Sequence, residues 1–203
     1  MNTDHLRTSS RAYPRTQSCG EWIIEVGLLG PDDADAIATF TRALPTQDLL
    51  FVRRDVSHPK VVRAWVDALA NGRITSLCAR HGGELIGCTA IVTDPLSWSR
   101  HVAELRVMVA PAWRGRGLGR LLIQESFALA LGLGLDKLVV QMTVDQRAAI
   151  AVFEELGFRA EAVLRDHVKD RSGATYDLAL LSHHVAEVQA RQHVYGVNDA
   201  LGG

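Results

Sequence analysis

Apolar and polar positions along this chain group into short runs whose spacing divides it into a series of elements. The first 20 residues, MNTDHLRTSSRAYPRTQSCG, are polar, rich in Arg and Ser and without a period, which predicts a flexible arm. Asp4 and Pro14 argue against a transit peptide. Trp22, Ile23, Ile24 and Val26 then form a short apolar run that stops in residues 27–30, a strand and its loop. Pro31 with Asp32, Asp33 and Asp35 marks a helix start, because proline suits the first turn and carboxylates complement its exposed N–H groups. Pro45 closes that helix after Leu44. Ser57 is placed to cap a second helix in which Val61, Val62, Trp65, Val66 and Leu69 share a face, with Asn71 and Gly72 as its stop.

Strand-like runs over residues 74–80 and 84–92 meet at His81, Gly82 and Gly83, a hairpin signal. Another strand over 102–110 stops at Pro111. Leu118, Leu121, Leu122, Leu129 and Leu133 make a helical stripe, and 138–144 reads as a buried strand. Ala149, Val152, Phe153 and Leu156 form a last helix face ended by Gly157, and strands over 158–169 and 175–181 join around Arg171, Ser172 and Gly173. The order predicts an α/β fold of the α+β kind, a mixed sheet with helices packed on it. It divides into the arm 1–20, one domain over 21–183 and a tail over 184–203. The tail has Ala186, Val188 and Ala190 at helical spacing but few large apolar residues, so it either frays or packs on a partner subunit in a homodimer.

Composition sharpens this picture in three ways. With 203 residues, 47% of them apolar, the chain can bury one core without disulfide or metal staples. The 22 Lys+Arg against 23 Asp+Glu leave a net charge of -1, without the basic excess of a nucleic-acid binder. No apolar run reaches the roughly 18 residues that span a bilayer, and none resembles a signal-peptide core, so a cytoplasmic protein without a membrane partner is expected. Cys19, Cys78 and Cys88 lack CxxC or metal-ligand spacing and read as reduced thiols, two of them buried in strands, with no metal site.

Candidate chemistry concentrates in Val107-Met-Val-Ala-Pro-Ala-Trp-Arg-Gly-Arg-Gly-Leu-Gly-Arg120, where a strand, a glycine loop and a helix start follow one another. Glycines let successive N–H groups converge, and a helix N-terminus adds about half a positive charge, so the segment suits an anion. It is not a P-loop, because Gly119-Arg120-Leu121 stands where Gly-Lys-Ser/Thr is needed. A dinucleotide fingerprint starting at Gly115 would need a third glycine where Arg120 stands. A glycine turn before a solvated arginine face remains the plain alternative.

Two blocks in order resemble a known family. Arg114-Gly-Arg-Gly117-Leu-Gly119 resembles the (Gln/Arg)-x-x-Gly-x-(Gly/Ala) pyrophosphate loop of the GNAT superfamily of N-acetyltransferases. Gln146-Arg-Ala-Ala-Ile-Ala-Val-Phe-Glu-Glu-Leu-Gly157-Phe158 is similar to that family's Asn-x-x-Ala-x-x-x-Tyr-x-x-x-Gly-Phe segment. The resemblance covers about residues 21–182. It implies the acyl-CoA N-acyltransferase fold, a mostly antiparallel central sheet splayed at a cofactor groove with helices on both faces. It further implies transfer of an acetyl group from acetyl-CoA to a primary amine by direct attack in a ternary complex. The cofactor contacts it implies are Val107, Met108 and Val109 through their backbone, and Arg114, Gly115, Arg116, Gly117, Leu118, Gly119, Arg120 and Gln146 around the phosphates. Glu104, three residues before the first backbone contact, takes the general-base position, with pairing to a neighbouring Arg as the ordinary alternative. Phe153 departs from the pattern, since the family's tyrosine acid stands there, and Gln146 replaces its asparagine. That departure keeps a second reading open, a non-catalytic acyl-CoA-binding sensor. Tyr176 is a substitute acid or a packing residue. His101, His167, Asp48, Asp55 and Trp98 fall where an acceptor pocket is shaped, or serve as ordinary surface and packing residues. His183 and His184 begin the polar tail and lack a third ligand for a metal. Which amine accepts the acetyl group, and whether the donor is acetyl or a longer acyl, is not written in these motifs.

Overall fold

The structure, a computed structural model, describes residues 11–50 and 55–185. Its elements are β1 (Arg15–Cys19), β2 (Trp22–Leu28), α1 (Ala34–Arg42), α2 (Pro59–Ala70), β3 (Ile74–Thr75), β4 (Leu77–His81), β5 (Glu84–Val92), β6 (Val102–Val109), α3 (Leu118–Gly132), β7 (Lys137–Thr143), α4 (Arg147–Glu155), β8 (Arg159–Lys169) and β9 (Thr175–His184). The strands make one sheet in the order β1-β2-β4-β5-β6-β7-β9-β8, with β3 added beside β5. Neighbours are antiparallel except β6 and β7, which run parallel. This is the mixed sheet that the order of apolar runs predicts.

Alternation along the strands sends side chains to two cores. Cys88, Ala90 and Met108 meet Ile37, Phe40, Val62 and Trp65 of α1 and α2. Ile91, Leu105, Leu138 and Val140 meet Ile123 and Ala130 of α3 and Phe153 of α4, while Ile24, Val26, Leu77, Ala79 and Ile86 receive Leu118 and Leu122. The helix α3 crosses the sheet where β5 has no side chain. A Cβ on Gly87 would stand 3.0 Å from Leu122 Cδ1 and 3.2 Å from the Met108 carbonyl oxygen. All three cysteines are free and buried, with Cys78 and Cys88 directly opposite on β4 and β5.

Local chemistry moves several expected boundaries. Pro31–Asp33 forms a 3-10 turn, with the Gly30 N–H donating to Asp33 Oδ2 at 2.8 Å, and the α-helix proper begins at Ala34. The cap of α2 is His58, not Ser57: the Lys60 N–H donates to His58 Nδ1 at 3.2 Å and Pro59 fills the first turn, whereas Ser57 hydrogen-bonds Asp55. The run 74–80 breaks at Ser76, whose Oγ accepts the Trp65 indole N–H at 3.2 Å and whose carbonyl accepts the Leu29 N–H at 2.9 Å. These bonds divert its polar groups from one continuous ladder.

The arm expected over residues 1–20 is corrected by β1, which pairs with β2 from Arg15↔Val26 to Cys19↔Trp22. Its cause is Glu125 on α3, a carboxylate with 5% of its side chain exposed. Arg11 Nη1 donates to it at 2.5 Å, Tyr13 Oη at 2.9 Å, and Arg15 stands at 3.8 Å. Burial and this carboxylate hold the Tyr13 hydroxyl well above the ordinary phenol range, so it stays a donor. At the other end β9 runs through His184, and His183 and Val185 are buried rather than part of a polar tail. Residues 1–10 of the arm and 186–203 of the tail, with the homodimer contact expected of it, lie outside the described residues.

Deleting residues 1–18 strips Glu125 of these partners and exposes the β2 edge. Arg11 and Arg15 are more than a third exposed, so their pairs are worth about 0–1 kcal/mol each, and with the Tyr13 hydrogen bond at about 1 kcal/mol their loss lowers Tm by about 5 °C or more in a thermal melt. Tyr13→Phe, which removes one hydroxyl, costs about 1 kcal/mol.

Candidate active site

The strands β6 and β7 pair only at their beginnings, Val102↔Lys137, Ala103↔Leu138 and Glu104↔Val139. Beyond Glu104 they diverge, although β6 continues to Val109 and β7 to Thr143. The other edge of β6 stays bonded to β5 from Glu104↔Val92 to Val109↔Gly87. In β5, Ile86 is an extra residue, since Ala79 faces Gly87 and Arg80 faces Leu85; the Ala110 N–H donates to the Ile86 carbonyl at 2.9 Å. A bulge bends and twists its strand, and this one lies at the end of β6 that leaves β7.

The open edge leads into the glycine loop. After the 3-10 turn Pro111–Trp113, Gly115 and Gly117 adopt φ of +70° and +88°, and Gly117 is the N-cap of α3. The backbone N–H groups of Gly115 through Arg120 donate to no acceptor among the described residues; the first that does is Leu121, to the Gly117 carbonyl at 3.0 Å. They form a donor row at a helix N-terminus, the environment an anionic phosphate takes. Each arginine is tied to a different element: Arg114 to Asp48 in the turn Thr46–Leu49, and Arg120 to Glu155 on α4. The Arg116 guanidinium lies 4.2 Å over the Trp22 ring and 5.4 Å from Trp113, and its carbonyl accepts the Cys19 thiol at 3.2 Å.

On the α1 and α2 side, the Glu104 carboxylate accepts the Arg106 Nε–H at 2.7 Å, the side chains being 15% and 16% exposed. Arg106 lines one of two clefts in the structure. One of about 590 Å³ is lined by Ala64, Trp65, Val92, Arg106 and Met108 among others, and one of about 610 Å³ by Leu49, Asp55, Gln141, His167, Arg171 and Leu180 among others. The turn Thr46–Leu49 reaches both sides of the divergence. Asp48 holds Arg114 after β6, while Gln47 donates to Asp145 at 2.8 Å and accepts from Gln146 Nε2 at 3.3 Å after β7.

Residues 40–158 of the chain match the model of the acetyltransferase (GNAT) family. The chain belongs to the GNAT family. It is 30% identical over 155 residues to an uncharacterized protein of Mycobacterium leprae, a match that covers 74% of this chain but only 38% of that protein. It is 28% identical over 123 residues to the N-alpha-acetyltransferase RimI of Mycobacterium tuberculosis, covering 56% of this chain and 73% of that one. Among solved structures, yncA of Salmonella typhimurium with its cofactor acetyl-CoA superposes with a TM-score of 0.69 at 22% identity, over 80% of this chain and 94% of that one. The fold is therefore the GNAT acyl-CoA N-acyltransferase fold.

Within this GNAT domain the candidate residues separate. Glu104, Val107, Met108, Val109 and the loop from Arg114 to Arg120 lie along one continuous edge, and Gln146 stands at the N-cap of α4 across the opening. Phe153 is buried edge-on to Phe158, 5.0 Å between rings. The Tyr176 hydroxyl donates to Asp170 at 3.0 Å, a bond that raises its pKa and commits its proton. His167 lines the second cleft together with Asp55, which is bound to Arg171 and held below the usual carboxylate range chiefly by the Ser57 hydroxyl. His101 is exposed in the turn before β6 and Trp98 is wholly exposed, so neither enters the edge or the clefts. His183 packs against Phe127 at 4.7 Å. Among the described residues no three His, Cys, Asp or Glu side chains gather as a metal site, and no helix is long and apolar enough to cross a membrane. The pairing of Glu104 with a neighbouring Arg, expected as the ordinary alternative to a base, is present with Arg106, since residues i and i+2 of a strand share a face; sequence reasoning missed the part played by Gln47 and Trp22.

The glycines separate backbone need from cofactor need. A Cβ at Gly117 meets nothing within 4 Å, so only its left-handed backbone matters, and Gly117→Ala costs about 1–2 kcal/mol. A Cβ at Gly119 makes an ordinary 3.9 Å contact with Val109, so Gly119→Ala gains up to about 1 kcal/mol of helix propensity. Urea unfolding of the two variants reads both signs.

Proposed function

We propose that this chain is an N-acetyltransferase that moves the acetyl group of acetyl-CoA to a primary amine by direct attack in a ternary complex. The divergence of β6 from β7 immediately before a row of unbonded N–H groups carries this reading. The residues fit the cosubstrate: the row from Gly115 to Arg120 meets a pyrophosphate, and the unpaired edge at Val107, Met108 and Val109 offers main-chain partners to an amide-bearing arm lying in the opening. Arg114 and Gln146 stand on either side of that opening, held by Asp48 and Gln47. Glu104 sits at the last paired position, where the opening begins, and takes the role of base.

An alkylammonium has a pKa of about 10.4, so at neutral pH the acceptor must lose a proton before its lone pair attacks the thioester carbonyl. Glu104 removes that proton directly or through water, and a backbone N–H of β6 steadies the oxygen that gains charge. Phe153 cannot protonate the departing sulfur. A thiol of pKa about 8.5 gives a tolerable thiolate, which takes a proton from water. The absent hydroxyl is also what favours the second reading, an acyl-CoA-binding sensor.

Acetyl-CoA at 100 times its Kd stabilises the protein by about 2.7 kcal/mol, and Gly119→Val removes that gain while the fold persists. Glu104→Gln lowers turnover about 100-fold or more near neutral pH and leaves acetyl-CoA affinity within a few-fold. Raising the pH recovers part of the loss, because more amine is then neutral. No binding in calorimetry at millimolar acetyl-CoA rejects the cosubstrate. Binding without thiol release for any amine leaves the sensor reading.

A further inference from the structure

The cleft of about 590 Å³ beside β6 is walled by apolar groups, among them Val61, Ala64, Trp65, Val92 and Met108, and receives one charged side chain from the sheet floor, Arg106. Its other two charged residues, Arg73 and Asp94, are exposed at the rim and engaged locally: Arg73 Nε donates to Asn71 at 3.0 Å, and Asp94 accepts the Leu96 N–H at 3.1 Å. Arg106 spends its Nε–H on Glu104 and makes no other bond among the described residues, so both Nη groups of a largely buried guanidinium remain as donors beside an apolar wall. Both groups face the cleft, where they are open to a ligand, and the planar fork suits a carboxylate.

Glu104 and Arg106 are neighbours on one face of β6, their charged groups in contact. A carboxylate and a guanidinium side by side match, with signs reversed, an ammonium and a carboxylate separated by one carbon. The third substituent on that carbon then faces the apolar wall. We infer that the acceptor is a free α-amino acid with a medium-sized apolar side chain, its amine at Glu104, its carboxylate on the Nη groups of Arg106 and its side chain in the cleft. This rests on the acetyltransferase reading. A peptide N-terminus lacks the α-carboxylate, and a polyamine sets a second cation against Arg106.

The test follows thiol release from acetyl-CoA with L-leucine, L-leucinamide, 3-methylbutylamine, glycine and spermidine. Losing one charge-assisted contact is worth about 10- to 100-fold, so kcat/KM for leucine exceeds that for leucinamide by this factor. In Arg106→Gln the ratio falls to about one, which a purely structural role of Arg106 does not produce. Ala64→Phe fills the cleft and raises KM for leucine about tenfold or more relative to glycine, with acetyl-CoA affinity unchanged. Leucinamide or spermidine used as well as leucine overturns the inference and leaves the acetyltransferase reading standing. Calorimetry of leucine with the wild-type CoA complex separates the remaining outcomes. Leucine bound without thiol release supports the amino-acid site and overturns transfer; neither binding nor release overturns both.

Discussion

Backbone N–H and C=O groups must find partners, and β6 meets that demand on only one side beyond Glu104. Its bonds to β5 hold it rigid while its other edge opens away from β7. The bulge at Ile86, the close crossing of α3 over Gly87 and the left-handed N-cap at Gly117 all serve this geometry. Together they bring an unpaired strand edge and a bare helix N-terminus into one line, so the site is built from main chain more than from side chains.

Support for that line comes from far along the chain. The β1–β2 hairpin supplies Trp22 beneath Arg116 and the Cys19 thiol to the Arg116 carbonyl, while the residues before it satisfy Glu125 in the middle of α3. One hairpin thus braces the loop and the helix that follows it. Cation–π stacking is worth about 0.5–1 kcal/mol at partly exposed sites, enough to favour one placement of the arginine without locking it.

What the sequence discloses depends on how local the cause is. The apolar periods that mark α2, β5, β6 and α4 are read from neighbours within a few residues, as are the glycine stops at Gly72 and Gly157. The strand β1 was not legible, because its residues look solvated until Glu125, more than a hundred positions away, is set beside them. The break at Ser76 needs the Trp65 indole, and the burial of His183 needs Phe127 and Phe158. At the site the glycine loop is legible because a backbone requirement leaves a residue-type signature. Arg106 is legible only as a neighbouring arginine able to pair with Glu104 across one strand face, because a strand arginine alone ordinarily signals only solvent.

The turn Thr46–Leu49 joins the two sides of the opening through Asp48–Arg114, Gln47–Asp145 and Gln146–Gln47, all at partly exposed positions. Asp48–Arg114 is the ion pair among them, and an exposed pair of this kind is worth about 0–1 kcal/mol and weakens as salt screens it. The sheet beneath is held by ladder bonds and apolar burial, which mobile ions do not screen. Ionic strength therefore acts on the rim of the opening and not on its walls, and the two halves of one site answer to different properties of the surrounding solution.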